Sequence, residues 1–492
     1  MHPLAKLDRA FVWHPFTQMR DWLQHEPIVI SSGHGAVLRD VQGREYLDAN
    51  SSIWTNLHGH NHPQLNAAIG RQLRKIAHSS ALGLANEPAS RLAAQLVQSA
   101  NRFYDPNLGS AHKSQIVNRQ LSRVFFSDDG STALEVALKL AYEYTRRTRG
   151  TSLGRAARPR FLSLAGAYHG DTVGAMSLGH IDLFHKSFSG LAFKTDRVMA
   201  PYCYRCPFNR ARPERADART YRQCHWECLD QVEQKFSARK QRDAYAAFVV
   251  EPLIQGAAGM IPQPAGWLKR AAEIARSHGA LLIADEVMTG FGRTGGAKFE
   301  IRNSRSPLLF ACQHECVQPD FLCLAKGMTG GYLPMAATLT TQKVFDAFLG
   351  EYEEFKTFFH GHSFTGNQLG AAASLASLKI LEGAASVRQR ARLEQALAME
   401  LAMLWDLPNV GDVRQVGLIA GIELVKDWRT REPFALRERA GIHVCEAMAE
   451  RGVLTRPIGN VIVLMPPYCT TDAQVRQMVG VLRESVRANF RG

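Results

Sequence analysis

The sequence predicts an α/β protein built on a doubly wound, mostly parallel sheet, with β-containing lobes at both chain ends. Three observations lead there. Short apolar runs alternate with helical patterns from about residue 120 to 330, the strand–helix–strand recurrence of a parallel sheet. Two of those runs end in charge: Leu281–Ala284 runs into Asp285–Glu286, and Phe321–Ala325 into Lys326 and Gly327. Gly-punctuated β-prone runs precede this region, and strand–turn–strand and hairpin patterns follow it.

A chain of 492 residues, 46% of them hydrophobic, suits a globular protein of two or three domains. There is no apolar run of about 18 residues to cross a membrane. The start, "MHPLAKLDRAFVWHPF", lacks an apolar signal core, so a cytoplasmic protein is expected. The net charge of +14 raises nucleic acid as a partner. The arginines are dispersed, however, with no basic run interleaved with aromatics, and a field favouring an anionic cofactor and a carboxylate substrate fits as well. Nine cysteines, clustered and odd in number, read as thiols of a reducing compartment rather than a disulfide framework.

In chain order, residues 1–60 read as a small meander turning at Gly35 and Gly43. The loop Ser51–Pro63 carries Trp54, Asn56, His58 and His60, a plausible pocket lining. Its histidines raise metal binding, but no carboxylate or thiol lies at ligand spacing. Helical patterns run from Pro63 to about Ala77 and from about Ala89 to Phe103, and Tyr104–Arg119 reads as a polar excursion.

Val124–Phe126 is a strand, and Asp129, Gly130 and Ser131 form its turn. A helix follows with apolar positions at Leu134, Ala137, Leu138 and Ala141. A Gly-Ser pair opening such a helix offers free N–H groups and a positive helix end to a phosphate; an ordinary cap reads equally well. Phe161–Leu164 is the next strand, with the exit loop Tyr168–His169–Gly170–Asp171. Tyr168 suits stacking on a flat heteroaromatic ring or packing in the core. Cys203, Cys206, Cys224 and Cys228, in a C-x2-C…C-x3-C pattern, read either as a structural zinc site or as plain thiols. Ala246–Val250 is a strand ending at Glu251, and a helix precedes Leu281.

Beyond Lys326, "FFHGHSFTGNQL" is a polar Gly loop leading into a small-residue helix, Leu369–Leu381. The C-terminal lobe reads as strand–turn–strand, helix, a hairpin around Gly459–Asn460 and a closing helix. Arg456, just before the hairpin turn, could clamp a carboxylate in bidentate fashion or lie solvated.

The charges at the two strand ends are the centre of the reading. Asp285 and Lys326 meet at the carboxyl edge of a parallel sheet, where open α/β sheets place ligands. One reading is a structural ion pair. The other is a pyridoxal phosphate site, with Lys326 as the Schiff-base lysine and Asp285 keeping the pyridine nitrogen protonated.

Eight strings, in order, decide between them: "WHPFTQM", "SSIWTNLHGHNHPQLNAAI", "GAYHGDTVGAMS", "EPLIQGAAGM", "LLIADEVMTGFGRTG", "CLAKGMTGG", "HGHSFTGNQL" and "TRPIGNVIVLMPPY". Over nearly its whole length the chain resembles the fold-type I, class III aminotransferases. The resemblance implies a large pyridoxal-phosphate-binding domain over residues 61–365. It implies a smaller α+β domain built from both chain ends, residues 1–60 and 366–492. It also implies a homodimer with active sites at the subunit interface and small-molecule substrates.

The resemblance further implies roles. Lys326 would hold the cofactor and shuttle the proton, and Asp285 would pair with the pyridine nitrogen. Tyr168 and His169 would lie beside the ring, and Gly130 and Ser131 would hold the phosphate. Ser363 would reach the phosphate in the neighbouring subunit. Phe16, Ile53, Trp54, Asp171 and Gly361 would line the substrate site, and Arg456 would bind the substrate carboxylate. "RPIG" and "LMPPY" point to a member that converts 8-amino-7-oxononanoate to 7,8-diaminononanoate in biotin synthesis. Related members act on ω-amino acids or diamines with pyruvate; a silent dimeric binding protein is the reading from another class.

Three positions depart from the family pattern. Ile53 stands where the family has the first of two tryptophans, Phe16 where it has tyrosine, and His362–Ser363 where it has Pro-Thr. Ile53 and Phe16 fall where the family contacts substrate, so they bear on the amino donor, S-adenosylmethionine or lysine.

Overall fold

The computed structural model describes residues 1–102, 119–149, 159–239, 244–296 and 307–490. The expected excursion at 104–119 lies, but for its last residue, outside them. Near the N-terminus, β1 (Ile30–His34), β2 (Val37–Asp40) and β3 (Glu45–Asp48) form the expected antiparallel meander.

The central sheet contains β4 (Leu121–Ser127), β5 (Arg160–Leu164), β6 (Asp196–Val198) and β7 (Tyr245–Val250). After a short hairpin, β8 (Ile254–Gln255) and β9 (Ile261–Pro262), it is completed by β10 (Leu281–Asp285), β11 (Phe321–Leu324) and β12 (Ala336–Thr341). Its order is β4-β12-β11-β10-β7-β5-β6, and every neighbouring pair is parallel except those of β12.

The sheet is covered on both faces, and the strand period of two sorts its side chains. Phe248, Val250, Leu282, Ala284, Leu322 and Leu324 belong to one core, with Trp267, Leu268 and Ala271 of the helix Trp267–Ser277. Val249, Ile283, Phe321 and Cys323 belong to the other, under Ala133, Leu134, Ala137 and Leu138 of the helix Gly130–Arg149. Burial on both faces explains why these strands read as unbroken apolar runs. Each fully buried Leu, Ile or Phe contributes about 1.5–3 kcal/mol.

The C-terminal lobe has β13 (Val410–Val416), β14 (Ile419–Asp427), β15 (Glu432–Pro433), β16 (Val453–Leu454), β17 (Pro457–Ile458) and β18 (Val461–Leu464). β13-β14-β18-β17 is an antiparallel sheet with β15 on its flank. β16 leaves that sheet and pairs parallel with β3, Val453 against Leu47 and Leu454 against Asp48. One sheet thus joins the two ends of the chain. The small-residue helix is Gln368–Glu382; the helix expected to reach Ala77 stops at Leu73, and that expected to reach Phe103 stops at Ala100.

Candidate active site

Strands β4, β5, β7, β10 and β11 point the same way, so the loops at their carboxyl ends share one edge. Those loops carry Gly130 and Ser131 after β4, Tyr168 and His169 after β5, Glu251 after β7, and Lys326 after β11, beside Asp285 at the end of β10. Asp285 pairs in register with Cys323, which fixes its height relative to Lys326.

Asp285 is buried, and both of its oxygens are engaged. Oδ2 accepts from Nδ1 of the fully buried His169 at 2.7 Å, and Oδ1 accepts from the Val287 N–H at 3.0 Å. Burial alone would discharge His169, but the bond to Asp285 and the charges of Asp285 and Glu251 outweigh it and raise its pKa. Glu251 accepts from the Tyr168 N–H at 3.4 Å and the Gly256 N–H at 2.8 Å, and burial pushes it up to about 7.

Lys326 is half-buried, with Nζ 5.0 Å from the centre of the Trp54 ring. Burial lowers its pKa, against the pull of the Asp285 and Glu251 carboxylates. An amine so depressed is more often neutral and nucleophilic. Among the described residues, His169 Nε2 and Trp54 Nε1 are buried without a hydrogen-bond partner, polar atoms that a bound ligand can satisfy.

At the opening of the helix Gly130–Arg149 the loops press together. A Cβ on Gly130 would lie 2.7 Å from Val287 Cγ1; one on Gly170, at φ +125°, would lie 2.1 Å from Ser131 Oγ. Ser131 Oγ accepts from the Asp171 N–H at 3.3 Å, and Asp129 Oδ1 caps Thr132 N at 2.9 Å. The helix end therefore abuts the Asp285 loop and the Tyr168 loop.

Tyr168 donates its hydroxyl to Asp171 Oδ2 at 2.6 Å, and burial, then that bond, raises its pKa. Its ring stacks on His185 (6.1 Å, 16°) and meets Phe184 and Phe16 edge-on at 6.1 and 6.4 Å. Phe16, 66% exposed, is thereby brought to Tyr168. Sequence reasoning missed Phe184 and His185; they stand in a short helix, Asp182–His185, with no motif signal.

Ile53 and Trp54 belong to a turn, Ser51–Trp54, in which all four φ values are positive. Ile53 is 44% exposed, and Trp54 packs with Ile458 of β17 against Ile254, Met288 and Val463. Arg456, next to β17, is exposed and forms no salt bridge among the described residues. Ser363 is exposed and its carbonyl faces His78 Nε2 at 2.9 Å, while Gly361 is exposed and open. His362 Nδ1 lies 3.3 Å from Asp128, beside the Gly130 turn. Among the described residues, no hydrogen bond or salt bridge ties Ser363 or Gly361 to Lys326.

Cys203, Cys206, Cys224 and Cys228 line one small cavity with Asn209, Arg222 and Glu227. All four are free thiols; Arg222 donates to Cys224 Sγ at 3.0 Å, and burial pushes Cys203 up to about 12 and Cys228 to about 11. Among the described residues no three His, Cys, Asp or Glu side chains are placed to hold a metal ion. His58 instead meets Ser377 Oγ and His60 meets Asp48, each within hydrogen-bond reach. No described helix is long and apolar enough to cross a membrane.

The aminotransferase class-III family matches residues 19–486. The adenosylmethionine-8-amino-7-oxononanoate aminotransferase of Nitratidesulfovibrio vulgaris is 46% identical, over 99% of this chain and 82% of that one. That of Geobacter sulfurreducens is 44% identical, over 98% and 97%. The crystal structure of the Methanocaldococcus jannaschii enzyme of the same name superposes with a TM-score of 0.84 at 38% identity, over 99% and 98%. An omega transaminase of Pseudomonas jessenii in complex with PMP also reaches 0.84, at 27% identity, over 99% and 98%.

Proposed function

The chain belongs to the class-III aminotransferases, and on that footing we propose that it aminates the ketone of 8-amino-7-oxononanoate to give 7,8-diaminononanoate, with S-adenosylmethionine as amino donor. It is an enzyme that uses pyridoxal 5'-phosphate. One observation of the site carries the reading: an amine of lowered pKa and a buried carboxylate sit at the ends of adjacent parallel strands, at the same edge as the start of the helix Gly130–Arg149.

The residues fit the cofactor. Lys326 would hold it covalently, Asp285 would face its ring nitrogen, Tyr168 and His169 would flank the ring, and Gly130 and Ser131 would take its phosphate. When bound, pyridoxal phosphate supplies an aldehyde that exchanges amines and a protonated ring that takes up carbanion charge.

The protein does the rest. Lys326 Nζ removes the proton from the amine-bearing carbon of the donor and later returns one to the acceptor carbon, being already within reach. Asp285 supplies fixed negative charge where positive charge must persist, and His169 holds that carboxylate in place. Phe16, Ile53, Trp54, Asp171 and Gly361 would line the substrate space, and Arg456 would pair with the substrate carboxylate as a bidentate clamp.

The homodimer, with Ser363 reaching the phosphate site of the partner, is part of the same proposal. Its support is the exposure of Ser363 and of its chain neighbour Phe364, 60% exposed, together with other exposed large apolar side chains such as Phe359, 73%, and Leu82, 91%. The division into a large domain, 61–365, and a small one, 1–60 with 366–492, is supported by the β3–β16 pairing. A cytoplasmic setting accords with nine free thiols.

The likeness to an omega transaminase over the same length favours a second reading, an ω-amino-acid or diamine aminotransferase using pyruvate. A half-reaction screen separates them. S-adenosylmethionine, lysine and diamines are added singly, and the visible band of the bound cofactor is followed. The proposal expects bleaching by S-adenosylmethionine and recovery with 8-amino-7-oxononanoate; recovery with pyruvate alone would overturn it.

A further inference from the structure

The turn Ser51–Trp54 lays an indole against the Lys326 amine, yet its backbone is costly. Its φ values are +48°, +49°, +63° and +69°, and none of the four residues is glycine. A β-branched residue such as Ile53 is especially unfavourable there. Something must hold this turn.

Asp48, 3% exposed at the end of β3, does so. Its Oδ1 accepts from the N–H groups of Asn50 and Ser52 at 3.2 and 3.0 Å, and its Oδ2 accepts from Ser52 Oγ at 3.0 Å. Its remaining contact is His60 Nε2, at 3.0 Å. The proton on that nitrogen can be assigned. Asn56 Oδ1 accepts from the Gly59 N–H at 2.8 Å, so Asn56 Nδ2 is the atom facing His60 Nδ1 at 3.0 Å. An amide nitrogen only donates, so His60 Nδ1 accepts and Nε2 carries the hydrogen given to Asp48. The loop is clamped on other sides as well. Ser51 Oγ donates to the Met465 carbonyl at 2.7 Å, and Arg293 donates to the Asn56 and Pro466 carbonyls at 3.0 and 2.8 Å. Gly331 lets the Lys326 loop approach Asn56 so closely that a Cβ would lie 2.7 Å from its backbone.

We propose that Asp48, with His60 and Asn56 behind it, is a positioning residue of the reaction, acting through Trp54 on the space over Lys326. The proposal rests on the aminotransferase reading for its kinetic consequence but not for its geometry. Asp48→Asn keeps the volume and turns an N–H donor toward the His60 donor. Adding His60→Gln, whose amide can turn its oxygen to accept, relieves that conflict.

The test uses the full-length holoenzyme and two readouts. The first is the emission of Trp54, taken as wild type minus Trp54→Phe. It is expected to shift to the red in Asp48→Asn, and less in the milder Ser52→Ala. The second is kcat/KM, expected to fall about tenfold to a hundredfold in Asp48→Asn, the scale of a small misplacement. It is expected to recover in part with His60→Gln, and to fall little further when Asp48→Asn is added to Trp54→Phe. Unchanged emission, or an equal loss in both backgrounds, would overturn the proposal. A wild type that transfers no amine would instead sink the functional reading, with the emission still deciding the geometry.

Discussion

His169 Nδ1 stands 2.7 Å from Asp285 Oδ2, and both groups are buried. A carboxylate only accepts, so the imidazole is the donor, and its raised pKa accords with a proton held between them. Asp285, bonded through both oxygens, is therefore held in one orientation. Asp285→Ala should lower kcat by about 10²–10³-fold or more, the scale of removing a fixed electrostatic partner. His169→Gln should cost roughly ten- to a hundredfold. Steady-state rates at saturating cofactor check both; a near-normal Asp285→Ala rate would refute the assignment.

Lys326→Ala should abolish steady-state turnover and the covalent link. After borohydride reduction and proteolysis, the wild type should carry label only on the peptide containing Lys326. Label on another lysine would move the site.

Glu251 gives a pH signature. Its folded pKa, about 7, lies above the unfolded value of 4.5. Protonated Glu251 thus supports the fold fully below about pH 4.5, and that support drains away as the pH rises through about 7. The change is on the order of 3 kcal/mol. Glu251→Gln should flatten this part of the profile, seen as a smaller fall in Tm between acidic and neutral pH in cofactor-free protein. An identical slope in both proteins would show that Glu251 does not titrate there.

Gly170→Ala should be severe for its size. The new methyl would meet Ser131 Oγ, and φ is +125°. Overpacking and backbone strain together should cost about 2–4 kcal/mol. A matching loss of Tm, together with weaker cofactor retention, is the expected outcome.

Arg456→Ala should raise KM for the keto acceptor about ten- to a hundredfold, the range of a lost charged hydrogen bond, with little change in kcat. An unaltered KM would place the carboxylate elsewhere.

Much of this was legible from sequence because the central strands are apolar and end in charge. Leu281–Asp285 and Phe321–Lys326 declare the sheet and the edge that gathers the charged side chains, and the apolar spacing after Gly130–Ser131 declares the long helix. What was hidden depends on distant pairing. β12 is built from Ala336–Thr341, too small and threonine-rich to stand out, and its reversed direction is set by its neighbours. β16 is two residues long and acquires meaning only against β3. Asp48 was not singled out and His60 read as pocket lining, because their bonds, not their spacing, define them. Glu251 was read as a strand end; its altered acidity comes from burial beside His169 and Asp285.

The pairing of Leu47 with Val453 bears on how the polypeptide is made. The two segments are separated by roughly four hundred residues. At the usual pace of a ribosome, on the order of 20–80 s passes before β3 meets its mate. For that time the first lobe has an open strand edge and nowhere to dock it. The nascent polypeptide, rather than the finished protein, is then the form most in need of a chaperone.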